Sequence, residues 1–422
     1  MSARWFLAAL LCASSASTQA ATTAPAENAA TYYLRAFDIL HDITDTEKTI
    51  VARWRLPLSD EENEVVKRYG PALTLLRQGA AIRHCEWPPP PHSPIPIDMN
   101  IPMYRHVTRL ALLRARWELQ HQQPKEGLED LRAVMAFARH VARSPQSTIA
   151  VLLQFLFESE AMDLAAEALP SVPPELARAF RDRIADLPKP GTWKQAIISE
   201  KEFMSGYWRD LSKGANRTIE TLEKAGLTPE EIDQILKPEL MKTYGYSKEE
   251  VERMFREYGG ATSRPWDKMK AQVEEAGPLY DEVVRMTSLS LRDYEEAETK
   301  FKQGLEKVNP IARMMVSELP RPRYAEAQYE EQRALFRAAL DIVIDGPSAV
   351  NRHRDPFGTG SFRLIPLGRG AFRLESDVDI PSVGLVSLEV GRLPALTTRP
   401  STRPFSRPAT TSANKWVGSP YL

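Results

Sequence analysis

The chain has 422 residues, of which 43% are hydrophobic, 26% are charged and 8% are aromatic. Lysine and arginine number 55 against 56 aspartates and glutamates, so no global positive field points to a nucleic-acid-binding protein. The 33 prolines outnumber the 20 glycines, which favours many helices separated by proline breaks over a glycine-rich sheet protein.

The first twenty residues have the pattern of an export signal. Arg4 gives a positive start, residues 5–13 form a short apolar run, and residues 17–20 supply the small side chains of a cleavage site. We therefore predict a signal peptide over residues 1–20 and an exported protein that is periplasmic, bound to the cell envelope or secreted. No later stretch reaches about 20 uninterrupted apolar residues, so no transmembrane helix is expected after cleavage.

The two cysteines differ in their expected roles. Cys12 lies within the signal segment, where a lipid-anchored protein carries its modified cysteine, but Leu11 before it is larger than the residue that such a signal prefers. Whether Cys12 is lipidated therefore stays open. Once the leader is removed, Cys85 is the remaining cysteine, so no internal disulfide is expected and a buried thiol is the favoured interpretation.

Residues 29–190 are predicted to form a helical array around a central pair of helices, 104–121 and 124–143. In both helices apolar residues recur at steps of three and four, which is the stripe that an amphipathic helix buries. A single hairpin buries too little apolar surface to offset the entropy of ordering it, so we expect it to stack on further helices. Three arginines fall on the face opposite the apolar ridge of the first helix: Arg105, Arg109 and Arg116.

Capping signals and proline breaks divide the rest of this array. Capping boxes begin helices at Thr44 and Ser59, and the second of these helices is predicted to run to about Gln78, with Pro71 positioned to kink or split it. The proline-dense segment 87–102 favours an extended connector. The helix announced by Ser144 is the most apolar in the chain, so we place it in the middle of the core. This rhythm predicts an all-α fold of irregular stacked helical hairpins, an α-solenoid of tetratricopeptide-like shape.

Residues 191–344 are predicted to form a second, more charged helical region. It opens with a helix over 192–211 and contains an insertion of short helices near residues 216–263, begun by two further capping boxes. Longer helices then resume over three ranges: 266–286, 289–308 and 324–344. Alternating charges in the insertion are typical of a solvated surface.

The helical pattern stops at Asp345. Residues 345–391 are predicted to hold a small C-terminal β-hairpin with strands over 362–367 and 371–376, separated by glycines that can take positive φ. From Arg392 onward the chain contains no acidic residue and is dominated by Thr, Ser, Pro and Arg. Residues 392–422 are therefore predicted to be a disordered tail.

No reaction-specific motif occurs in the sequence, which lacks GxSxG, HExxH, CxxC, a phosphate-binding glycine loop and a dinucleotide fingerprint. The chain is therefore predicted to be a non-enzyme more readily than an enzyme, with no cofactor. Glu200 and Glu202 are the weak catalytic candidates, because carboxylates beside Trp193, Tyr207 and Trp208 could grip a sugar ring or act as an acid and base pair. A buried aromatic stripe with a solvated acidic edge is the alternative interpretation.

Two groups of residues are weak metal-binding candidates. Asp377 and Asp379 follow the predicted hairpin strands and could ligate calcium through alternate carboxylates. A second group has metal-capable atoms at a spacing that matches no common zinc site: His84, Cys85, Glu86, His92 and His106. No metal site is predicted, and a buried cysteine with surface neighbours is the preferred interpretation of the second group.

Several stretches resemble a family of exported, mostly α-helical bacterial proteins with no established activity. The resemblance is carried by residues 72–80, by His84-Cys85-Glu86-Trp87, by the hairpin from Arg139-His140 to Leu169-Pro170, and by residues 184–188. Asp355-Pro356-Phe357-Gly358 and the two Phe-Arg-Leu runs that follow are similar to the terminal hairpin of that family. They are more loosely similar to the calcium loop of type II secretion pseudopilins, whose Gly-Asp-Gly ending is replaced here by residues 377–381. The resemblance implies a helical fold and assigns no catalytic residue.

These features favour an interaction scaffold that binds a protein partner in the periplasm or cell envelope. An envelope hydrolase that acts on glycan or peptide through Glu200 or Glu202 is the first alternative. A surface-attachment protein that binds anionic lipid or polymer through the arginine-bearing tail is the second.

Overall fold

The computed structural model describes residues 27–393, except residue 57 and the segments 89–99, 144–147, 245–246, 261–262 and 264. The predicted signal peptide with Cys12, most of the proline-rich connector, Ser144 and the predicted tail beyond residue 393 lie outside the described residues. Within the described part of the chain there are sixteen α-helices and one small sheet, so the predicted α-helical class is confirmed. None of the described helices has both the length and the apolar character that a bilayer span requires.

The helices follow the predicted order with adjusted bounds. Those of the first half are α1 (Ala29–Leu40), α2 (Asp45–Ala52), α3 (Asp60–Arg68), α4 (Gly70–Ala81), α5 (Ile101–Gln120), α6 (Pro124–Ala142), α7 (Thr148–Ala168) and α8 (Pro174–Ala185). Those of the second half are α9 (Trp193–Lys224), α10 (Pro229–Tyr244), α11 (Lys248–Tyr258), α12 (Pro265–Glu274), α13 (Ala276–Met286), α14 (Leu291–Gly304), α15 (Pro310–Val316) and α16 (Pro322–Asp345).

The predicted central hairpin is formed by α5 and α6. Gln122 turns the chain between them with φ of 60°. The two helices approach closely at Gly127, where an added Cβ would lie 3.0 Å from the carbonyl oxygen of Ala115. Helix α1 packs on α4, α4 packs on α6, and α6 packs on α7, as the prediction of stacked helices requires.

Helix α7 occupies the middle of the core, as its apolar sequence predicts. Leu153, Phe157 and Leu164 are fully buried. On one side α7 packs against α6, and on the other it packs against α16, which returns from far along the chain. This long-range contact departs from a stack in which each helix touches only its sequence neighbours. One apolar cluster consequently extends from α1 to the C-terminal sheet.

Two predicted helices are split by proline. The helix predicted over 59–78 ends at Arg68 and restarts at Gly70 as α4, and the helix predicted over 266–286 becomes α12 and α13. Pro71 and Pro278 have no N–H to donate. In a continuous helix each proline ring would collide with the carbonyl four residues earlier. The first helix is therefore split near Pro71, where the sequence allowed a kink or a split, and the continuous helix predicted over 266–286 is corrected to a pair.

The helix predicted over 192–211 is longer than expected, because α9 continues to Lys224. Its C-terminal half meets α10, α11 and α12 around a separate small apolar cluster that contains Ile219, Ile232, Phe255 and Trp266. The insertion of short helices thus has apolar contacts of its own.

The predicted hairpin is confirmed, but it belongs to a three-stranded antiparallel sheet. Strands β1 (Arg363–Gly368), β2 (Ala371–Ile380) and β3 (Gly384–Val390) pair in the order β1-β2-β3. Strand β3 was not predicted, and it packs on α7 and α16. Beyond it, the backbone N–H groups of Gly391 and Leu393 donate to the carbonyls of Ala166 and Glu167 at 3.1 Å, which fastens the sheet to the end of α7.

A buried polar contact joins this sheet to α16. Both Phe357 and Gly358 donate backbone N–H groups to Asp355 Oδ1, and Ser376 of β2 donates its hydroxyl to Asp355 Oδ2 at 2.6 Å. Glu331 of α16 is fully buried beside this group. Burial and the neighbouring Asp355 carboxylate raise the pKa of Glu331 to about 8, so the side chain is protonated at neutral pH.

Replacing Glu331 by Gln should stabilise the protein increasingly as the pH rises. In the wild type the folded state keeps a proton that the unfolded state releases near its ordinary pKa of about 4.3, so stability falls from there to about pH 8. Glutamine avoids this loss, and we expect a gain of about 1–3 kcal/mol at pH 8.5 and little change at pH 4.5. Urea unfolding at both pH values measures the difference. The exposed Glu306→Gln is the control, and an equal effect of E331Q at the two pH values would refute the assignment.

Gly79 should tolerate no side chain, because a Cβ there would lie 2.6 Å from the ring of Tyr33. That ring is fully buried, and its hydroxyl is hydrogen-bonded to His140 Nδ1 at 2.7 Å. We expect Gly79→Ala to cost about 1–3 kcal/mol by overpacking. The matched Gly214→Ala lies in open space within α9 and should stabilise by about 0.5–1 kcal/mol. Thermal melts of the two variants should therefore shift in opposite directions.

Candidate anion-binding pocket

A pocket of about 210 Å³ opens where α6, α7, α8 and α16 meet. Its apolar lining consists of Met135, Met162, Ile184, Ala185, Phe336 and Leu340. Its charged lining consists of Arg139, Glu158, Arg181, Arg333, Arg337, Asp341 and His353. Four arginines face two carboxylates, so the walls carry two more positive than negative charges when His353 is neutral.

The deepest charged contact of the pocket is the pair formed by Arg139 of α6 and Glu158 of α7, which are 5% and 1% exposed. Arg139 donates from Nε to Glu158 Oε1 at 3.0 Å and from Nη2 to Oε2 at 2.9 Å. Its Nη1 donates to the carbonyl of Pro188 at 2.9 Å. Both charges are therefore neutralised within the protein, and each of the three nitrogens of Arg139 already donates to a protein oxygen.

The second carboxylate of the pocket, Asp341 of α16, is also paired. Arg181 Nη1 lies 2.9 Å from Asp341 Oδ1, and His353 Nε2 lies 2.9 Å from Oδ2. Burial alone would raise the pKa of Asp341, but the hydrogen bonds from Arg181 and His353 outweigh it and lower the pKa. Asp341 is thus an ionised carboxylate with its acceptors occupied.

Arg333 and Arg337, one turn apart on α16, supply the surplus charge. No carboxylate among the described residues lies within ion-pairing distance of either guanidinium. Arg333 instead lies over the ring of Tyr329, with 5.6 Å from Cζ to the ring centroid. Arg337 is exposed, yet burial of part of the side chain and repulsion by Arg333 and Arg139 lower its pKa.

This arrangement suits an anion. Two neighbouring guanidinium groups present planar forks of N–H donors that match the oxygens of a carboxylate or a phosphate. A ligand that places an anionic group between Arg333 and Arg337 would relieve their mutual repulsion. Both carboxylates that line the pocket, Glu158 and Asp341, already accept hydrogen bonds from arginine side chains.

The predicted catalytic candidates lie elsewhere. Glu200 accepts hydrogen bonds from the hydroxyls of Thr148 at 2.6 Å and Tyr280 at 3.2 Å, which tie α9 to α7 and α13. Glu202 is exposed two residues further along α9, so the two carboxylates point to different sides of the helix. The structure does not bring this pair to the pocket described above.

Among the described residues the predicted metal candidates do not form a cluster, and His92 lies outside the described residues. His84 and Glu86 are exposed, and Cys85 between them packs against the apolar core with its pKa raised to about 12 by burial. Asp377 and Asp379 are both exposed on β2. In the described part of the chain no three His, Cys, Asp or Glu side chains lie close enough to hold a metal ion.

The opposite face of α7 carries a second polar cluster, formed by Glu160, Asp163 and Glu167. Arg55 lies 3.3 Å from Glu160, Gln332 donates to Asp163 at 2.5 Å, and Arg116 lies 2.9 Å from Glu167. Burial raises the pKa of all three carboxyls, and that of Asp163 to about 7. This cluster has a partner for each carboxyl and links α7 to α5, α16 and the segment after α2.

Arg116 was predicted on the face opposite the apolar ridge of α5, yet it is fully buried. Its Nε donates to the carbonyl of Trp54 at 2.8 Å. Its Nη2 lies 2.9 Å from Oε2 of Glu167, a half-buried carboxylate on α7. The polar face of this helix is therefore partly internal.

The arginines of the pocket were not predicted from the sequence. Within the predicted helix 324–344, Arg333 and Arg337 are four residues apart, as charged residues on a solvent-exposed helix face commonly are. Nothing in the neighbouring sequence distinguishes them from such surface residues. Acidic residues inside the most apolar helix were the available signal, since Glu158 and Glu160 at buried positions require cationic or hydrogen-bonding partners.

Comparison of the chain with known protein families, with curated proteins and with solved structures found no match. The resemblance to exported helical bacterial proteins therefore stays a prediction. The fold and the pocket are the basis for any functional assignment.

Replacing Glu158 by Gln should destabilise the fold by about 3–5 kcal/mol, because Arg139 would remain buried without a counter-charge. The double variant Arg139→Met with Glu158→Leu should recover most of this loss, since it removes both buried charges. Urea unfolding of the single and double variants measures the coupling. The exposed Glu296→Gln, which breaks the surface pair with Lys300, should cost less than about 0.5 kcal/mol. Strictly additive losses at Arg139 and Glu158 would disprove the pairing.

Proposed function

We propose that this protein is a non-enzymatic helical binding scaffold that holds an anionic group of its partner in the arginine pocket. The stacked helices supply a rigid frame, and the pocket supplies the recognition chemistry. As its sequence predicts, we place the protein in the periplasm or cell envelope and its partner among envelope proteins.

The observation that carries this proposal is the charge surplus at Arg333 and Arg337. The other two arginines of the pocket are each paired with a carboxylate: Arg139 with Glu158, and Arg181 with Asp341. Two cations left together in a partly enclosed site raise the free energy of the unoccupied protein. A bound anion offsets the repulsion between the two guanidinium groups, and this favourable change in electrostatic free energy contributes to the affinity.

The proposal predicts that the neutral double variant Arg333→Gln with Arg337→Gln loses anion binding without losing stability. Inorganic phosphate, titrated at constant ionic strength, should raise the melting temperature of the wild type in a saturable way. In the double variant this rise should disappear or need at least tenfold more phosphate. Its melting temperature without phosphate should be equal to that of the wild type or higher, because the repulsion between the two arginines is gone.

The matched control removes two exposed arginines outside the pocket, Arg292→Gln with Arg313→Gln. This variant has the same change in net charge and should keep the phosphate response of the wild type. The proposal fails if the wild type shows no saturable response, or if both double variants lose it equally. The second outcome would mean that phosphate acts through general charge screening.

A further inference from the structure

The apolar half of the pocket indicates what the anionic group is attached to. We propose that the ligand group is an anion on a short apolar stem, with its charged head on Arg333 and Arg337 and its stem on the hydrophobic floor. This inference rests on the proposed function and adds the chemical class of the ligand.

The geometry of the floor supports this assignment. Met162 of α7, with Phe336 and Leu340 of α16, lines the same cavity as the arginines. All three are at most 2% exposed, so each meets the cavity through a small part of its surface. Ile184 of α8 is half-buried and forms part of the apolar wall. A hydrated ion such as phosphate has no apolar surface to place against this lining, whereas an apolar stem would remove its own surface from water there.

The position of the charges relative to the floor follows from the helix period. Four residues of the pocket lie on one side of α16, because they are separated by three, one and three positions along the helix: Arg333, Phe336, Arg337 and Leu340. Arginine and apolar side chains therefore alternate along the same wall. A ligand that lies against this wall meets cationic heads and hydrophobic surface at once.

The cavity volume limits the size of the stem. A cavity of about 150 Å³ is large enough to hold benzene, so a volume of about 210 Å³ accommodates a stem of roughly four to six carbons beside a small head group. Methionine side chains at Met135 and Met162 are flexible and polarizable, which allows the floor to adapt to linear or branched stems. A carboxylate or a phosphate monoester satisfies the two guanidinium forks equally well.

The test compares anions with and without the stem by isothermal titration calorimetry on the full chain. The probes are acetate and hexanoate as one pair, and inorganic phosphate and hexyl phosphate as the other. We expect each stem-bearing anion to bind at least tenfold more tightly than its short counterpart, because the added methylene groups are buried. Hexanol, which has the stem without the charge, should bind at least tenfold more weakly than hexanoate. The two pairs also show whether carboxylate or phosphate is the preferred head.

A variant of the apolar wall separates the stem from the head. Ile184→Ser should reduce the advantage of hexanoate over acetate at least threefold and leave acetate binding unchanged. Leu176→Ser is the matched control, since Leu176 is also half-buried on α8 but does not line the pocket. Both variants are compared at the same folded fraction, which circular dichroism verifies.

The outcomes distinguish this inference from the proposed function. If acetate and hexanoate bind equally, and both are lost in the R333Q/R337Q variant, the arginine pocket stands and the apolar stem is refuted. Equal losses in I184S and L176S would also overturn the assignment of the stem to this wall. If none of the four anions binds, the proposed function itself fails.

Discussion

The burial of charge on helix α7 is the constraint on which the rest of the structure depends. This helix lies in the middle of the core and yet carries Glu158, Glu160, Asp163 and Glu167. Removing an ion from water costs several kcal/mol unless it is paired or loses its charge. Each carboxyl therefore has a partner from another part of the chain: Arg139 from α6, Arg55 from the segment after α2, Gln332 from α16 and Arg116 from α5. These contacts hold four separate segments around one helix.

The packing of α16 on α7 explains why a binding pocket is found at this place. Helix α16 must pack on α7, because α7 has apolar residues on that side that need cover. In doing so α16 brings Arg333 and Arg337 to a wall where the available carboxylates, Glu158 and Asp341, are already occupied by Arg139, Arg181 and His353. The pocket thus has a charge surplus and an apolar floor, and both features come from the packing of one helix on another.

Much of the fold could be predicted from local patterns. The spacing of apolar residues predicted the helices, capping boxes at Thr44 and Ser59 predicted two helix starts, and the composition of α7 predicted its place in the core. The split near Pro71 was among the predicted outcomes, whereas the split near Pro278 shows that a proline ended a helix that the apolar period alone predicted to continue. Strand β3 was missed because its burial depends on contacts with α7 and α16, which the local pattern does not contain.

The candidate site could not be predicted for the same reason. Arg333 and Arg337 resemble any exposed pair on an amphipathic helix, and their meaning depends on which carboxylates the distant α6, α7 and α8 bring near them. The prediction of Glu200 and Glu202 rested on neighbouring aromatics in sequence, whereas the structure uses Glu200 to tie three helices through Thr148 and Tyr280. A binding site formed by long-range packing can be predicted from sequence only indirectly. Here the indirect evidence was the presence of acidic residues within an apolar helix.

The most direct test of the account is to locate a bound anion by X-ray diffraction. Crystals of the full chain soaked in iodide or selenate would show the anion by its anomalous scattering. The account predicts the strongest peak between the guanidinium groups of Arg333 and Arg337, in contact with both. An empty pocket, with peaks at other exposed arginines of the protein, would contradict it.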